Sequence, residues 1–327
     1  MIGRGVTRGF DFMHDAAGIG HGAGSRMPSI DGDLLAQAIA EPLRESAPLM
    51  FQLAHEHCAG GDGAKDCRAY HAMWQYLRLA GERRAVQVDG PLYVTAAERL
   101  ARSGRLRRVL ISCTADYSML AYIAHGARLG GAEPAFDVVD RCRTTLDMNA
   151  WYGDQRDLTV RTIRASILAF QPQHRYDLIC THSLLEFLPI QDRPALFKRW
   201  SEWLETDGKL CFSNLVSDAP RPADRDGRSR RITTLTARAI ERLKAMGVAL
   251  PCDQATFEDL IREAGLWRAE DVPAMPLQMI RTWIEAAGLK IEIAEPVTTL
   301  IPGEPDLPML SARGPERPRI WFQIARP

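Results

Sequence analysis

Apolar residues follow two different periods along the chain, and the change between them divides the sequence in two. From Asp31 to about Ser103 they recur every three or four residues, as in DGDLLAQAIAEPLRESAPLMFQLAHEH and CRAYHAMWQYLRLAGERRAV. This spacing predicts helices. From about residue 104 onward, short apolar runs alternate with helical stretches, which is typical of a parallel sheet with helices on both faces.

The alternating part predicts five strands and the helices between them. The strands are Arg108–Cys113, Ala135–Asp140, Leu158–Ile163, Tyr176–Thr181 and Lys209–Leu215, and the helices are Tyr117–Leu129, a helix through Trp151, and Arg193–Leu204. Near the end, LKIEIAEPV and PRIWFQIARP predict two closing strands that form an antiparallel hairpin at the sheet edge. We therefore predict an α/β fold with a doubly wound, mostly parallel sheet, an antiparallel C-terminal edge hairpin and an N-terminal helical cap.

The same patterns predict a division into regions. Residues 1–30 are rich in glycine and have no helical or strand period, so we predict a flexible N-terminus. Residues 31–103 form the predicted helical cap, and residues 104–327 form the sheet domain, with a helical insertion at about 221–269. The basic run RDGRSRR, residues 225–231, is predicted to be a solvated loop within this insertion.

Composition restricts the classes of function. Apolar residues make up 46% of the chain and charged residues 25%, as in an ordinary globular protein. The formal net charge is zero, which argues against nucleic acid and membrane surfaces as partners. Cys113, Cys180 and Cys211 lie in or beside apolar strand-like runs, as core thiols do in a reducing compartment, so we expect a cytoplasmic protein. A homodimer through the N-terminal helices stays open.

Polar side chains follow the predicted strands where a ligand would bind. In a doubly wound sheet these carboxyl ends meet at one crevice. The first strand ends at Ser112-Cys113-Thr114-Ala115-Asp116, and Asp140 ends the second, placed to accept hydrogen bonds from the two hydroxyls of a ribose. The turn CTADYS contains no glycine, and the bulky Tyr117 at the helix start would obstruct a pyrophosphate. A nicotinamide-dependent dehydrogenase is therefore disfavoured, whereas a phosphate-free nucleotide tolerates this turn.

From about residue 106 to 215 the chain resembles the class I S-adenosylmethionine-dependent methyltransferases. The matching stretches are RVLISCTADYSML, AFDVVDRC, IRASILAF, YDLICTHSLLEFLP and LETDGKLCFSNLV, and the last two, joined by a helix, are the most specific. The two closing strands also resemble that family's C-terminal hairpin. The chain departs from the family at its first turn, where Ser112 replaces the usual acidic residue and no glycine follows. The resemblance implies methyl transfer from S-adenosyl-L-methionine to a small-molecule acceptor at oxygen, nitrogen or carbon.

The resemblance also implies roles for individual residues. The predicted cofactor-binding residues are Ser112, Cys113, Thr114, Asp116, Tyr117, Asp140, Arg141, Ser166, Ile167, Thr181, His182 and Ser183. His182 and Glu186 are the candidate catalytic residues, although His182 could equally be a hydrogen-bonded residue at a strand end, and Glu186 a surface carboxylate. The favoured interpretation of the helix around AYHAMWQYLRLAG is that it packs on the sheet domain. As a lid over the methyl group it would supply the predicted substrate-binding residues His71, Trp74, Tyr76 and Arg78.

Two alternative interpretations concern a metal or disulfide site and a non-catalytic role. The stretch HEHCAGGDGAKDCRAYH contains metal-type ligands, the residues His55, His57, Cys58, Cys67 and His71. Their spacing fits no CxxC motif, so we predict no metal, and no disulfide between Cys58 and Cys67. The alternative to an enzyme is a non-catalytic scaffold or partner subunit that retains a degenerate methyltransferase fold.

Overall fold

A computed structural model describes residues 39–58, 66–83, 85–220, 225–267, 273–297 and 318–327. The helices are α1 (Leu43–His57), α2 (Arg68–Leu79), α3 (Gly90–Arg102), α4 (Ser118–Leu129), α5 (Arg143–Gln155), α6 (Arg193–Trp203), α7 (Arg225–Ala245), α8 (Gln254–Leu266) and α9 (Leu277–Ala286). The strands are β1 (Arg108–Ser112), β2 (Ala135–Asp140), β3 (Val160–Arg164), β4 (Tyr176–His182), β5 (Leu204–Leu215), β6 (Lys290–Pro296) and β7 (Arg319–Ala325). The predicted flexible segment, residues 1–30, lies outside the described residues.

The seven strands form one sheet in the order β3-β2-β1-β4-β5-β7-β6. The first five strands are parallel, and β7 is antiparallel to both β5 and β6. This arrangement confirms the predicted fold class, including the antiparallel hairpin at the C-terminal edge. Strand β5 begins five residues earlier than predicted because Leu204 pairs with Tyr176 ahead of an irregularity in the register.

Side chains alternate between two apolar cores, one on each face of the sheet. In β1, Val109 and Ile111 join the core that the sheet shares with α3, α4 and α5, whereas Leu110 joins the core on the opposite face with α6 and α9. This alternation follows from the two-residue period of a strand. A central strand buried on both faces must be apolar at every position, which explains the run Val109-Leu110-Ile111.

A third core joins the N-terminal helices to the insertion. Apolar residues of α1, α2, α7 and α8 form one cluster, in which the Tyr76 and Phe257 rings meet edge to face at 5.6 Å. The predicted cap and the predicted insertion therefore pack against each other. The prediction of a loop at residues 225–231 is wrong, because α7 begins at Arg225; arginine favours helices almost as strongly as leucine.

None of the helices in the described ranges is both long enough and apolar enough to cross a bilayer.

Helices α3 and α4 approach each other closely at two glycines, Gly126 within α4 and Gly130 directly after it. A methyl group added at Gly126 would lie 2.3 Å from the backbone oxygen of Val94, and one added at Gly130 would lie 2.4 Å from the Cβ of Ala101. Both distances are far below van der Waals contact, and backbone atoms cannot move aside as a flexible side chain does. The two glycines, four residues apart, therefore set the distance between these helices.

We expect Gly126→Ala to lower the free energy of unfolding by about 1–3 kcal/mol, because α3 must move away from α4 and the shared core is strained. Urea unfolding followed by far-UV circular dichroism measures the difference. His125→Ala is the control, since it changes the adjacent, partly exposed position of the same helix. Equal stability of the two variants would show that the helices separate without cost.

Candidate active site

The strand register brings the predicted strand ends together at one edge of the sheet. Ser112 at the end of β1 pairs with Val139 on one side and with Thr181 on the other. Asp140 and His182 are the last residues of β2 and β4. The side chains that follow β2, β1 and β4 therefore occupy one continuous stretch of the carboxyl edge.

Two residues at this edge adopt a backbone conformation that usually requires glycine. Cys113, immediately after β1, has a φ of 55°, and Ser183, immediately after β4, has a φ of 54°. The left-handed conformation costs a non-glycine residue about 1–2 kcal/mol. The turn CTADYS therefore keeps a glycine-like backbone path at Cys113 and accepts the strain. Strained residues of this kind concentrate at functional sites.

Asp116, in the turn after β1, is engaged by the protein itself. Its Oδ2 accepts hydrogen bonds from Trp74 Nε1 at 2.7 Å and from Arg78 Nη1 at 2.9 Å, both on α2. Its Oδ1 accepts from the backbone N–H of Ser118 at 2.8 Å, as well as from the Ser118 hydroxyl. The carboxylate thus caps the start of α4 and also connects that helix to the cap.

The neighbouring residues of the first turn also face the interior. Tyr117 is fully buried, with its hydroxyl 3.1 Å from Ser46 Oγ and its ring stacked on Tyr152 at 4.6 Å. The hydroxyl of Thr114 donates to the backbone oxygen of Asp116 at 2.5 Å. In contrast, the Oγ of Ser112 is buried and has no hydrogen-bond partner among the described residues.

Arg78 is buried between two carboxylates. Its Nη2 lies 2.7 Å from Glu41 Oε2, its Nη1 lies 2.9 Å from Asp116 Oδ2, and all three side chains are at most 3% exposed. The two carboxylates raise the pKa of Arg78 well above its usual value even though burial opposes this. The guanidinium is therefore a permanent charge, and it offsets two buried negative charges.

The four predicted substrate-binding residues all have partners within the protein. Trp74 and Arg78 bind Asp116, Tyr76 packs on Phe257, and His71 lies among cysteines. All four are buried. Their predicted contact with a substrate stays a prediction.

Asp140 is hydrogen-bonded within the protein. Its Oδ1 accepts the backbone N–H of Cys142 at 2.7 Å. Burial raises the pKa of Asp140 to about 6, and the hydrogen bond from Cys142 offsets this only in part. Of the other predicted cofactor residues near these ends, Arg141 is exposed, Ser166 is partly buried, and Ile167 and Thr181 are buried.

His182 lies in a polar cluster at the ends of β4 and β5. Its Nε2 is 3.0 Å from Oδ2 of Asp89, a fully buried carboxylate at the start of α3. The hydroxyl of Ser213 donates to the same oxygen, and Arg319 Nη1 lies 3.9 Å from it. The guanidinium of Arg319 also donates to Ser183 Oγ at 2.8 Å and thus connects the strained turn to the cluster.

The charges of this cluster act on His182 in opposite directions. Burial lowers the pKa of His182, as does Arg319, whereas Asp89 and Glu186 raise it, and the net direction is downward. For Asp89, burial raises the pKa, but Arg319 and His182 outweigh it and the net direction is downward. The favoured state is therefore a neutral imidazole beside an ionised carboxylate.

Sequence reasoning missed Asp89 and Arg319, which are separated from His182 by 93 and 137 residues. Asp89 precedes Gly90-Pro91, a pattern that indicates only the start of a helix. Arg319 is the first residue of β7 and is indistinguishable in the sequence from other charged residues at strand ends. Only the position of β7 next to β5 brings it to His182.

Three aromatic residues from separate elements form an aromatic trio that sequence reasoning also missed. The rings of Tyr70 and Trp267 stack at 4.7 Å, and the ring of Phe187 lies 6.2 Å from that of Trp267. Tyr70 is on α2, Phe187 follows β4, and Trp267 follows α8. Tyr70 is the neighbour of His71, which lies beside Cys142 after β2, and Phe187 follows β4. The trio therefore extends from the end of β2 towards the end of β4, and β1 lies between these two strands.

Comparison with known proteins gives structural matches only. No protein-family model matches the chain, and no curated protein sequence does. Among solved structures, coclaurine N-methyltransferase bound to N-methylheliamine and S-adenosylhomocysteine has a TM-score of 0.49 and 13% identity, with 90% of this chain and 95% of that chain covered. The N-methyltransferase NodS from Bradyrhizobium japonicum WM9, in complex with S-adenosylhomocysteine, has a TM-score of 0.42 and 12% identity, covering 85% and 98%.

A third match is the mitomycin 7-O-methyltransferase MmcR, with a TM-score of 0.42 and 14% identity, covering 90% of this chain and 71% of that chain. All three are methyltransferases, the class of enzyme that the sequence resembles. Each TM-score is below 0.5 and each identity is below 25%, so neither activity nor acceptor follows from them.

We expect Arg78→Met to lower the free energy of unfolding by about 3–5 kcal/mol, because Asp116 and Glu41 would stay buried without a counter-charge. Urea unfolding gives the difference. Arg102→Met is the matched control: its guanidinium is 66% exposed and pairs with Glu98, and such surface pairs contribute about 0–1 kcal/mol. A similar loss in both variants would contradict the assignment of Arg78 as the buried link between cap and sheet.

Proposed function

We propose that this protein is an S-adenosyl-L-methionine-dependent methyltransferase that acts on a small-molecule acceptor. The observation that carries the proposal is the carboxyl edge of the sheet. There, two strained turns, at Cys113 and Ser183, follow the adjacent strands β1 and β4, and Asp140 ends β2 on the other side of β1. In doubly wound sheets the ligand binds at this edge, beside the strand at which the order reverses.

The residues at this edge fit the cofactor. Asp140 would accept hydrogen bonds from the ribose hydroxyls, and the partly buried Ser166 and the buried Ile167 would contact the adenine ring. The buried, unpartnered Oγ of Ser112 is an orphaned polar atom of the kind that a ligand or an ordered water satisfies. S-adenosyl-L-methionine supplies an electrophilic methyl group on a sulfonium, so the protein has mainly to position the acceptor and exclude water.

The aromatic trio supports a small acceptor. Tyr70 and Trp267 are partly buried, and Phe187 is 46% exposed, so the trio offers apolar surface beside the proposed cofactor site. Aromatic faces contribute large contact area and bind flat or cationic groups well. The cap helix α2 and the insertion helix α8 each contribute to the trio, which would give the joined cap and insertion a role in substrate binding.

His182 is the candidate general base for an acceptor that loses a proton. Oδ2 of Asp89 lies 3.0 Å from its Nε2 without hydrogen-bond geometry, so Asp89 would act on the imidazole through its charge. The neutral form that burial favours is the form that accepts a proton. Glu186 acts on His182 through its charge, so we assign it an electrostatic role rather than proton transfer.

Isothermal titration of the full chain with S-adenosylhomocysteine tests cofactor binding. We expect saturable binding, weakened about 10- to 100-fold in Asp140→Asn because a charged hydrogen bond is lost. Asp154→Asn is the matched control, an exposed aspartate at the other end of α5 that should bind like the unchanged protein. Binding that is equal in both variants would remove Asp140 from the cofactor site.

The alternative function, a scaffold with a degenerate fold, is favoured by the first turn. That turn lacks glycine, and Asp116 and Tyr117 are already engaged by α2 and by the core. The same titration separates the two functions. Heat exchange with S-adenosylhomocysteine supports the enzyme, and its absence from a folded protein supports the scaffold.

The charges around His182 predict that two substitutions shift its pKa in opposite directions. We expect Asp89→Asn to lower the pKa of His182 further, because a negative charge that favours the imidazolium is lost. We expect Arg319→Met to raise it, because a positive charge that disfavours the imidazolium is lost.

Histidine NMR resonances followed against pH measure both shifts, and the spectrum of His182→Gln assigns the signal. Glu186, the remaining charged group that acts on this imidazole, is unchanged in both variants. Shifts of the same sign in the two variants would contradict the geometry of the cluster.

A further inference from the structure

Three cysteines and one histidine from separate parts of the chain meet at one point. Cys58 directly follows α1, Cys67 and His71 lie at the start of α2, and Cys142 lies between β2 and α5. One ligand atom of each residue lies within 4.8 Å of the ligand atoms of the other three. We propose that these four residues form a structural zinc site that fastens the cap to the end of β2.

Four of the six distances between the ligand atoms agree with a tetrahedral zinc ion, and all six are within 4.8 Å. Zinc–sulfur bonds of about 2.3 Å place two sulfurs of a tetrahedron about 3.8 Å apart. Here Cys142 Sγ lies 3.5 Å from Cys58 Sγ and 3.9 Å from Cys67 Sγ. The Nδ1 of His71 lies 3.3 Å from Cys58 Sγ and 3.4 Å from Cys142 Sγ, close to the slightly shorter distance expected for nitrogen.

The donor set favours zinc over calcium and magnesium. Thiolate and imidazole ligands are those of structural zinc sites, whereas calcium and magnesium require oxygen ligands. Four protein ligands complete the coordination, so no position is left for a water or a substrate, as expected of a structural site.

The surroundings of the cluster hold its ligands in place. The Oγ1 of Thr144 lies 3.0 Å from Cys58 Sγ and 3.1 Å from the backbone oxygen of Leu53. Asp140 Oδ1 accepts the backbone N–H of Cys142 at 2.7 Å. Contacts of this kind orient metal ligands and tune their basicity. Cys58 and His71 are only 2% and 6% exposed, so the proposed ion would be largely shielded from water.

A disulfide is the competing use of the same cysteines. A disulfide between Cys58 and Cys142 would need the sulfurs at about 2.0 Å, and they lie 3.5 Å apart. It would also leave Cys67 and His71 gathered around it without a function. A metal ion uses all four residues.

The first test measures zinc in the full chain, purified under reducing conditions with an affinity tag that does not bind metals. Elemental mass spectrometry should find about one zinc ion per chain. In Cys142→Ser the content should fall at least about fivefold, because the three remaining ligands would bind zinc more weakly and lose it during purification. Cys252→Ser, which changes a partly buried cysteine outside the cluster, should keep the full content.

The second test does not depend on a variant that folds. The unchanged protein, stripped with a chelator and titrated with Co²⁺ alone, should develop the visible bands of tetrahedral cobalt and sulfur-to-cobalt charge-transfer bands, with saturation near one ion per chain. Excess Zn²⁺ should abolish them. The chelated protein should also unfold at a lower temperature, with recovery on addition of Zn²⁺.

The proposal is overturned if the unchanged protein contains no zinc and shows no tetrahedral cobalt spectrum, or if Cys142→Ser keeps its zinc. A thiol count that shows a Cys58–Cys142 disulfide in the reduced preparation would also overturn it. None of these measurements depends on S-adenosylmethionine, so the zinc site and the proposed methyltransferase activity stand or fall separately.

Discussion

The position of the first turn depends on one buried ion pair, that between Arg78 and Asp116. The turn after β1 lacks the glycines that would let it adopt its path freely, and Cys113 is held in a strained conformation. A strained turn persists only where the surroundings over-determine it. Asp116 provides that constraint because its carboxylate binds Trp74 and Arg78 of the cap and also caps α4. Glu41 forms an ion pair with the other terminal nitrogen of the Arg78 guanidinium, Nη2. The cap thus helps to form the carboxyl edge of the sheet, where we propose that the cofactor binds.

The sequence predicted the strands well and the site less well. β2 and the end of β5 were predicted to the residue because both segments are mainly apolar, although Asp137 of β2 and Ser213 and Asn214 of β5 are buried polar residues. The polar partners of the site follow no such rule. The sheet order brings Arg319 next to His182, and α3 brings Asp89 to them. Nothing in the sequence near any one of these residues indicates the other two. Likewise, Asp116 was correctly predicted to cap a helix, but its partners on α2 could not be, since Trp74 and Arg78 belong equally well to an ordinary amphipathic helix.

The cysteine cluster is a second case in which the sequence does not show which distant residues meet in the fold. Cys58, Cys67 and His71 are close together in the sequence, and their spacing fits no familiar zinc motif. The fourth residue, Cys142, is 71 residues beyond His71 and lies two residues after Asp140, the acidic end of a strand where the sequence indicates a nucleotide site. Spacing rules describe metal sites that are built within one short segment. A site that joins a cap to a sheet can be recognised only when the three-dimensional positions of both are known.

The cap is therefore fastened to the sheet at two places, and both lie at the carboxyl edge. Arg78 and Trp74 hold the turn after β1, and the proposed zinc site holds the turn after β2, two residues beyond Asp140. His71, Trp74 and Arg78 are spaced three and four residues apart and so lie along one face of α2. That face reaches the ends of two adjacent parallel strands. Tyr70 is next to His71 on the same helix and carries the ring that stacks on Trp267. A single rigid helix thus connects the first turn, the proposed ribose contact and the aromatic trio, so any loosening of α2 would disturb all three together.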